Sequence, residues 1–207
     1  IEEYKKPILY VEDKYDQIYK IAYLKIQNYN ITKDNYEIIF KEKAPFTIRR
    51  SEGAGKLSGR MRVANNDGYE DKKIIGLYDF DKEDREQIHQ LKNETFWDEN
   101  YYGNKKDGFY RKRKDHKCFF SLLLPIPDRL DNFASLDWEN FISYVEIENL
   151  LPDKFLIQNS FASEQTFPGG KYLKIIDSKK SKIWEKLFEL NREDFDDFKS
   201  LFETIDN

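Results

Sequence analysis

The chain has few of the residues that build disulfides, zinc sites or membrane spans. Only one of its 207 residues is cysteine and two are histidine, so no internal disulfide can form and a zinc site is disfavoured. A lone cysteine, Cys118, favours the reducing cytoplasm. No apolar run approaches the roughly 18 residues of a transmembrane helix, and the first residues lack the apolar centre of a signal peptide. We therefore expect neither membrane insertion nor export.

The chain also lacks a nucleotide-binding P-loop and a recognisable nucleophilic triad. The stretch Gly53-Ala54-Gly55-Lys56 invites a P-loop interpretation, but Arg50 and Leu57 stand where that loop needs glycine and a hydroxyl residue. A turn that leads into a helix near 57–64 is the simpler interpretation. A contact from Lys56 to nucleic-acid phosphate is the functional alternative.

Charge is high but nearly balanced. Charged residues make up 36% of the chain, hydrophobic residues 39%, and the net charge is −4, which argues against a protein that coats nucleic acid by bulk electrostatics. A local basic strip lies between Lys105 and Lys117. It is either a solvated loop or a nucleic-acid contact, for which the candidates are Arg111, Lys112, Arg113 and Lys114.

Apolar runs alternate with amphipathic segments, which predicts an α/β fold with a mostly parallel sheet flanked by helices. Strands are predicted at 7–11, 36–40 with 46–48 as an extension or neighbour, 73–78, 119–124, 141–148 and 172–176. Helices are predicted after the first strand, with Asp13 as N-cap, and at 57–64, 82–92, 183–190 and 194–205. The irregular stretch 96–117 is interpreted as an insertion. We expect one domain over 1–207, and the start at Ile1 suggests a fragment or subunit of something larger, although processing would look the same.

Three of the predicted strands end in pairs of acids. Carboxyl ends of parallel strands share one edge of a sheet, so these acids can converge there and bind a hard divalent cation such as Mg²⁺ or Mn²⁺. Asp16, four residues beyond Glu12, can turn toward the same edge. The three pairs are Glu12 with Asp13, Asp79 with Asp81, and Glu146 with Glu148.

These residues carry a family resemblance over roughly 7–190. Ile8-Leu9-Tyr10-Val11-Glu12, followed by Asp16, resembles the first strand and glutamate of Toprim domains, and Asp79-Phe80-Asp81 resembles their DxD motif. Glu146-Ile147-Glu148-Asn149 resembles the late acidic motif of the OLD (overcoming lysogenization defect) nucleases and their defence-associated relatives. The sequence departs from the family at Asp13, where glycine is usual, and in the long stretch between the second and third motifs.

The resemblance implies a Toprim-like fold and a Mg²⁺- or Mn²⁺-dependent nuclease that hydrolyses phosphodiester bonds, most simply in DNA, in anti-phage defence or DNA processing. It also implies an ATPase partner domain or subunit. Glu12, Asp79 and Asp81 would hold one cation, and Glu146 and Glu148 with Asp16 a second cation or its waters. A catalytic lysine is expected after the last motif; of Lys171, Lys174, Lys180 and Lys182, the last two are best placed.

Three other interpretations remain open. The acidic first strand and Asp79 are also typical of a receiver-like phosphoacceptor domain, although such domains are shorter and have no counterpart of Glu146 and Glu148. A phosphatase of the haloacid dehalogenase type would share the acids around Asp81 but normally carries that motif near its start. A Toprim fold could also bind nucleic acid or a partner without cutting.

Overall fold

The computed structural model describes residues 6–63, 72–93, 96–134, 144–167 and 170–206. The strands in these ranges are β1 (Ile8–Val11), β2 (Thr47–Arg50), β3 (Ile74–Tyr78), β4 (Phe80–Asp81), β5 (Tyr102–Asn104), β6 (Gly108–Lys112), β7 (Phe119–Leu123), β8 (Tyr144–Val145), β9 (Ala162–Phe167) and β10 (Gly170–Ile175). The α-helices are α1 (Gln17–Ile26), α2 (Tyr36–Lys43), α3 (Ala54–Val63), α4 (Lys82–Gln90), α5 (Asp153–Gln158), α6 (Lys180–Lys186) and α7 (Lys199–Asp206). Short 3₁₀ helices lie at Leu91–Asn93, Asp128–Phe133, Ile147–Leu150, Asp177–Lys179, Leu187–Glu189 and Arg192–Phe198.

Six strands form one mixed sheet in the order β2-β1-β3-β7-β6-β5. β2, β1, β3 and β7 are parallel to one another, whereas β6 and β5 are antiparallel additions. Every residue of β1 and β3 is buried, which explains why these strands read as continuous apolar runs. The predicted α/β fold with a mostly parallel, helix-flanked sheet is confirmed.

The stretch 96–117 belongs to the sheet, so its interpretation as an insertion outside the core is wrong. β5 and β6 form a hairpin, and β6 pairs with β7. Trp97 is fully buried and its ring contacts Phe119 edge-on. Sequence periodicity missed these strands because strands near a sheet edge mix polar and apolar side chains.

Residues 36–40 form the start of α2, so the prediction of a strand there is wrong. Tyr36 and Phe40 lie four residues apart and are buried, whereas Ile38 between them is 61% exposed. Buried residues four apart are typical of one apolar face of a helix. In a run as short as 36–40, which consists mostly of large apolar residues, this spacing cannot be told from that of a buried strand. The second strand of the parallel sheet is β2, which coincides with the predicted extension at 46–48 and pairs with β1.

The predicted strand at 141–148 is confirmed only at β8. Residues 141–143 lie outside the described part of the chain, and Glu146 precedes the 3₁₀ helix Ile147–Leu150. β8 pairs antiparallel with the two-residue strand β4 instead of joining the main sheet. β4 directly follows Asp79, so this small sheet brings the late acidic segment next to Asp79.

The remaining predicted elements are present with shifted ends. The strands at 73–78, 119–124 and 172–176 correspond to β3, β7 and β10, and β10 forms a separate hairpin with β9. The predicted helices at 57–64 and 82–92 correspond to α3 and α4, and the two at the C-terminus are partly 3₁₀. Ala64 is outside the described residues.

The abundant aromatic residues build the core. Tyr23 contacts Phe46 and Phe202 edge-on at centroid distances of 5.1 and 5.3 Å, and Phe40 contacts Phe46 at 5.7 Å. These rings join α1, α2 and α7. Among the described residues, no helix combines the length and the apolar character that crossing a bilayer demands.

Candidate metal centre

Three carboxylates from separate parts of the chain meet at the carboxyl edge of the parallel sheet. Glu12 follows β1, Asp79 follows β3, and Asp84 lies in the first turn of α4. One carboxylate oxygen from each lies within 4.8 Å of the other two. β1 and β3 are neighbouring parallel strands, so their carboxyl ends lie side by side. We call Glu12, Asp79 and Asp84 the acidic trio.

Asp84 takes the position that the sequence pattern assigned to Asp81. The Asp81 side chain caps α4, where its Oδ1 accepts a hydrogen bond of 2.9 Å from the Asp84 amide. Asp84 Oδ2 in turn accepts a hydrogen bond of 2.7 Å from the Asp79 amide. The other oxygen of Asp84, Oδ1, is buried and accepts no hydrogen bond. Asp81 is therefore bound to the helix end, and Asp84 is the acid that lies close to Glu12 and Asp79.

Asp13 is held by Tyr19 and does not cap a helix, so its prediction as N-cap is wrong. The Tyr19 hydroxyl, which is buried, donates a hydrogen bond of 2.5 Å to Asp13 Oδ2. Burial raises the pKa of Asp13; Tyr19 opposes this shift, and the nearby charge of Glu12 adds to it. The helix α1 begins only at Gln17. Asp13 thus adds negative charge beside the trio.

Glu146, Glu148 and Lys180 form a second group, which we call the lysine cluster. Lys180 Nζ lies 3.0 Å from Glu146 Oε2 and 4.0 Å from Glu148 Oε2. Glu146 and Glu148 flank the start of a 3₁₀ helix, so the prediction of a strand that continues to Glu148 is wrong. They approach the trio because the Ile147 amide donates a hydrogen bond of 3.1 Å to Asp79 Oδ1.

The pKa values of Asp79 and Asp84 show how unfavourable their buried charges are. Burial raises the pKa of Asp79 well above its ordinary value, and the charges of Asp13 and Glu12 raise it further. Burial, followed by the contact with Glu12, shifts the pKa of Asp84 in the same direction. Protons or a bound cation relieve such repulsion. Carboxylate oxygens are the preferred ligands of hard divalent ions, so the trio has the ligand chemistry of such a site.

The pKa values of the lysine cluster are shifted by burial and by mutual charge. Burial raises the pKa of Glu148 to about 8, which Asp13 reinforces and Lys180 opposes. Burial also raises the pKa of Glu146, again against the effect of Lys180. Burial disfavours the ammonium form of Lys180, but Glu148 and Glu146 outweigh it and hold its pKa above the ordinary range. Lys180 is consequently a fixed positive charge at neutral pH.

Asp16 and Lys182, both predicted site residues, lie apart from these groups. The Asp16 carboxylate is paired with Lys20 at 2.9 Å and with Arg50 at 3.8 Å, and it is not one of the mutually close acids. Lys182 is exposed on α6, two residues beyond Lys180. Of the two predicted lysines, the structure brings Lys180 to the acids.

The basic strip does not form one continuous exposed surface, because its two arginines are buried. Arg111 is 2% exposed and its guanidinium lies 4.1 Å from the centre of the Tyr101 ring. Arg113 is 4% exposed and donates hydrogen bonds of 2.8 and 2.6 Å to both oxygens of Asp115. These two side chains are used for internal packing, which contradicts their predicted role on a nucleic-acid surface.

The glycine-rich turn before α3 fixes the backbone of Glu12. The Gly53 amide donates a hydrogen bond of 2.9 Å to the Glu12 carbonyl, and Gly53 has a φ of 121° that side chains disfavour. Lys56 points to solvent with an ion pair to Glu52 at 3.4 Å. Of the residues predicted to contact nucleic acid, three have exposed or half-exposed side chains: Lys56, Lys112 and Lys114.

Asn149 holds the segment that carries Glu146 and Glu148. Its Oδ1 accepts hydrogen bonds from the Glu146 amide at 3.0 Å and the Tyr172 hydroxyl at 2.6 Å. Its Nδ2 donates to the Leu173 carbonyl at 2.9 Å. Asn149 is 2% exposed, so water cannot easily replace these three partners.

We expect Asn149→Ala to lower the free energy of unfolding by about 3 kcal/mol, because three buried groups lose their hydrogen bonds at roughly 1 kcal/mol each. Urea denaturation measures this change. Asn159→Ala is the matched control, since the Asn159 side chain donates one hydrogen bond, to the Phe155 carbonyl, and should cost about 1 kcal/mol or less. Equal losses in the two variants would contradict the role assigned to Asn149.

Comparison with known proteins adds no relative. No protein-family model matches the chain, and neither a curated protein nor a solved structure matches it. The function has to be inferred from the acids and Lys180.

Proposed function

We propose that the chain is a divalent-metal-dependent nuclease in which Glu12, Asp79 and Asp84 hold Mg²⁺ or Mn²⁺. The observation that carries this proposal is the approach of three carboxylate oxygens within 4.8 Å of one another. A second observation supports it: one oxygen of Asp84, which belongs to the trio, is buried and accepts no hydrogen bond. Buried acceptors without a donor are costly unless a cation or proton satisfies them.

The three carboxylate ligands fit the chemistry of phosphodiester hydrolysis. A divalent ion bound by such acids activates water and neutralises charge on the phosphate oxygens. Lys180 adds a fixed positive charge beside the acids, where it can attract the phosphate and balance the charge that develops on it. The hydrogen bonds to Asp79 and Asp84 hold these acids in place before any ligand arrives.

The motif resemblance to Toprim domains supports the same conclusion, since Glu12 and Asp79 are the residues that match the family's first two motifs. On this proposal the chain resembles the OLD branch, acts in the cytoplasm on DNA, and works with an ATPase domain or subunit. Asp84 would replace Asp81 as the second aspartate of the site.

The phosphoacceptor alternative is weaker because Asp79 is poorly accessible. Asp79 is 8% exposed, and one of its oxygens already accepts the Ile147 amide. An acceptor aspartate needs an open approach for the phosphoryl donor. We therefore favour metal binding over phosphorylation at this position.

Plasmid DNA incubated with the chain and Mg²⁺ or Mn²⁺ tests the proposal. We expect Glu12→Gln and Asp79→Asn each to reduce cutting roughly 10³-fold, because the lost ligand removes several kcal/mol of transition-state stabilisation. Asp16→Asn is the matched control and should retain most of the activity, since Asp16 pairs with Lys20. Cutting that persists at full rate in both trio variants would refute the proposed site.

If the wild-type chain leaves plasmid DNA intact, single-stranded DNA and RNA are the next substrates, with and without an ATPase partner. Divalent-ion binding to the trio, measured separately, distinguishes a non-cutting Toprim-like fold from a chain with no metal site. Failure to bind Mn²⁺ would exclude the nuclease proposal and the metal-binding fold that does not cut.

A further inference from the structure

Lys180 neutralises acids that lie next to the acidic trio. Its Nζ contacts Glu146 Oε2 at 3.0 Å and lies 4.0 Å from Glu148 Oε2. The side chain of Glu148 is 1% exposed and that of Lys180 is 21% exposed. Charges in such a poorly hydrated place are screened weakly by salt, so the ammonium group is held tightly.

The lysine cluster differs from the trio in what its acids contact. Among the described residues, Glu12, Asp79 and Asp84 are the acids with mutually close oxygens, whereas Glu146 and Glu148 converge on an ammonium group. The Glu146 side chain also accepts a hydrogen bond from the Asn149 amide in a capping box. The neighbouring acid Asp13 has its own donor in Tyr19. Glu146 and Asp13 thus have direct partners within the protein, and Glu148 has the ammonium group of Lys180 4.0 Å away.

We propose that the ammonium group of Lys180 occupies the place of a second cation, so that the site binds one divalent ion and not two. This inference rests on the proposed function, because it takes the acidic trio as the ligand set of the single ion. A second divalent ion between Glu146 and Glu148 would meet the positive charge of Lys180 at contact distance. Two cations cannot share these oxygens without displacing the lysine.

Counting bound Mn²⁺ tests this inference. We expect calorimetry, or electron paramagnetic resonance of free Mn²⁺, to give one ion per wild-type chain. In Lys180→Met the two glutamates lose their cation and should accept an ion of their own, which raises the count to two. Lys182→Met is the matched control, because Lys182 is exposed on the same helix, and its count should remain at one.

The outcomes separate this inference from the proposed function. Two ions in the wild-type chain would overturn the inference and leave the nuclease proposal intact, whereas no ion would remove both. One ion in a folded Lys180→Met chain would also overturn the inference. If Lys180→Met fails to fold, the ion counts of Lys180→Ala and of the wild-type chain test the inference instead. A Hill coefficient near two for Mn²⁺ activation of the wild type would also contradict a single ion.

Discussion

Asp84→Asn is expected to abolish divalent-ion binding while raising the stability of the metal-free chain. The amide keeps an oxygen for the Asp79 N–H, which Asp84 Oδ2 now accepts at 2.7 Å, and places an NH₂ group toward Glu12. It also removes one of the charges that raise the pKa of Asp79. Relief of this repulsion should add about 1–2 kcal/mol to the free energy of unfolding.

Thermal unfolding with and without Mn²⁺ measures both effects. For the wild-type chain, Mn²⁺ at about 100 times its dissociation constant should add about 2.7 kcal/mol of stability. Asp84→Asn should show no such increase with Mn²⁺, and its melting temperature without Mn²⁺ should be higher than that of the wild-type chain. Cutting of DNA should fall roughly 10³-fold in parallel.

Asp81→Asn is the control for this experiment. Asp81 caps α4 through its Oδ1, and asparagine caps helices about as well as aspartate. The variant should therefore keep its Mn²⁺ increment and most of its activity. A larger loss in Asp81→Asn than in Asp84→Asn would show that Asp81 is the metal ligand after all.

Without metal, stability is expected to fall as the pH rises from about 4.5 to about 8. Burial raises the folded-state pKa of Glu148 from 4.5 to about 8. The folded chain therefore retains a proton that the unfolded chain releases. This contribution to stability is fully present below pH 4.5, is lost as the pH passes through the folded pKa, and amounts to on the order of 5 kcal/mol. The raised pKa values of Asp79, Asp84 and Asp13 act with the same sign.

Urea denaturation in chelator across this pH range measures the effect, and Glu148→Gln is the matched variant. Its side chain has no proton to release, so the slope of stability against pH should become shallower. With Mn²⁺ present the trend should reverse, because the ion competes with protons for the oxygens of Asp79 and Asp84 and binds more tightly at higher pH. A flat metal-free profile in the wild type would contradict the buried, mutually repelling acids described above.

The sequence sufficed for the elements that position the first two acids. β1 and β3 are continuous apolar runs because both faces of a parallel strand are buried, and Glu12 and Asp79 stand directly at their ends. The proximity of Glu12 and Asp79 could therefore be predicted from the sequence alone. The Toprim family itself stays a prediction, since it depends on motifs that many strand ends share.

The sequence did not suffice where a side chain has two plausible roles. Asp81 and Asp84 both look like acids at a helix start, and only the hydrogen bond from the Asp84 amide to Asp81 shows which one is the cap. An aspartate directly before a helix is a common N-cap, which could have suggested that Asp81 is the cap. Arg111 and Arg113 looked solvent-exposed because nothing in a basic strip reveals aromatic partners elsewhere in the chain.

The outer strands of the sheet also limit how the chain can associate. β5 has three residues, with Gly103 at a φ of 83°, and β2 ends in the exposed pair Arg49-Arg50. A short, kinked strand and a row of like charges are poor templates for hydrogen bonding to a second chain. The sheet is thereby protected against growth into β-linked aggregates from either side.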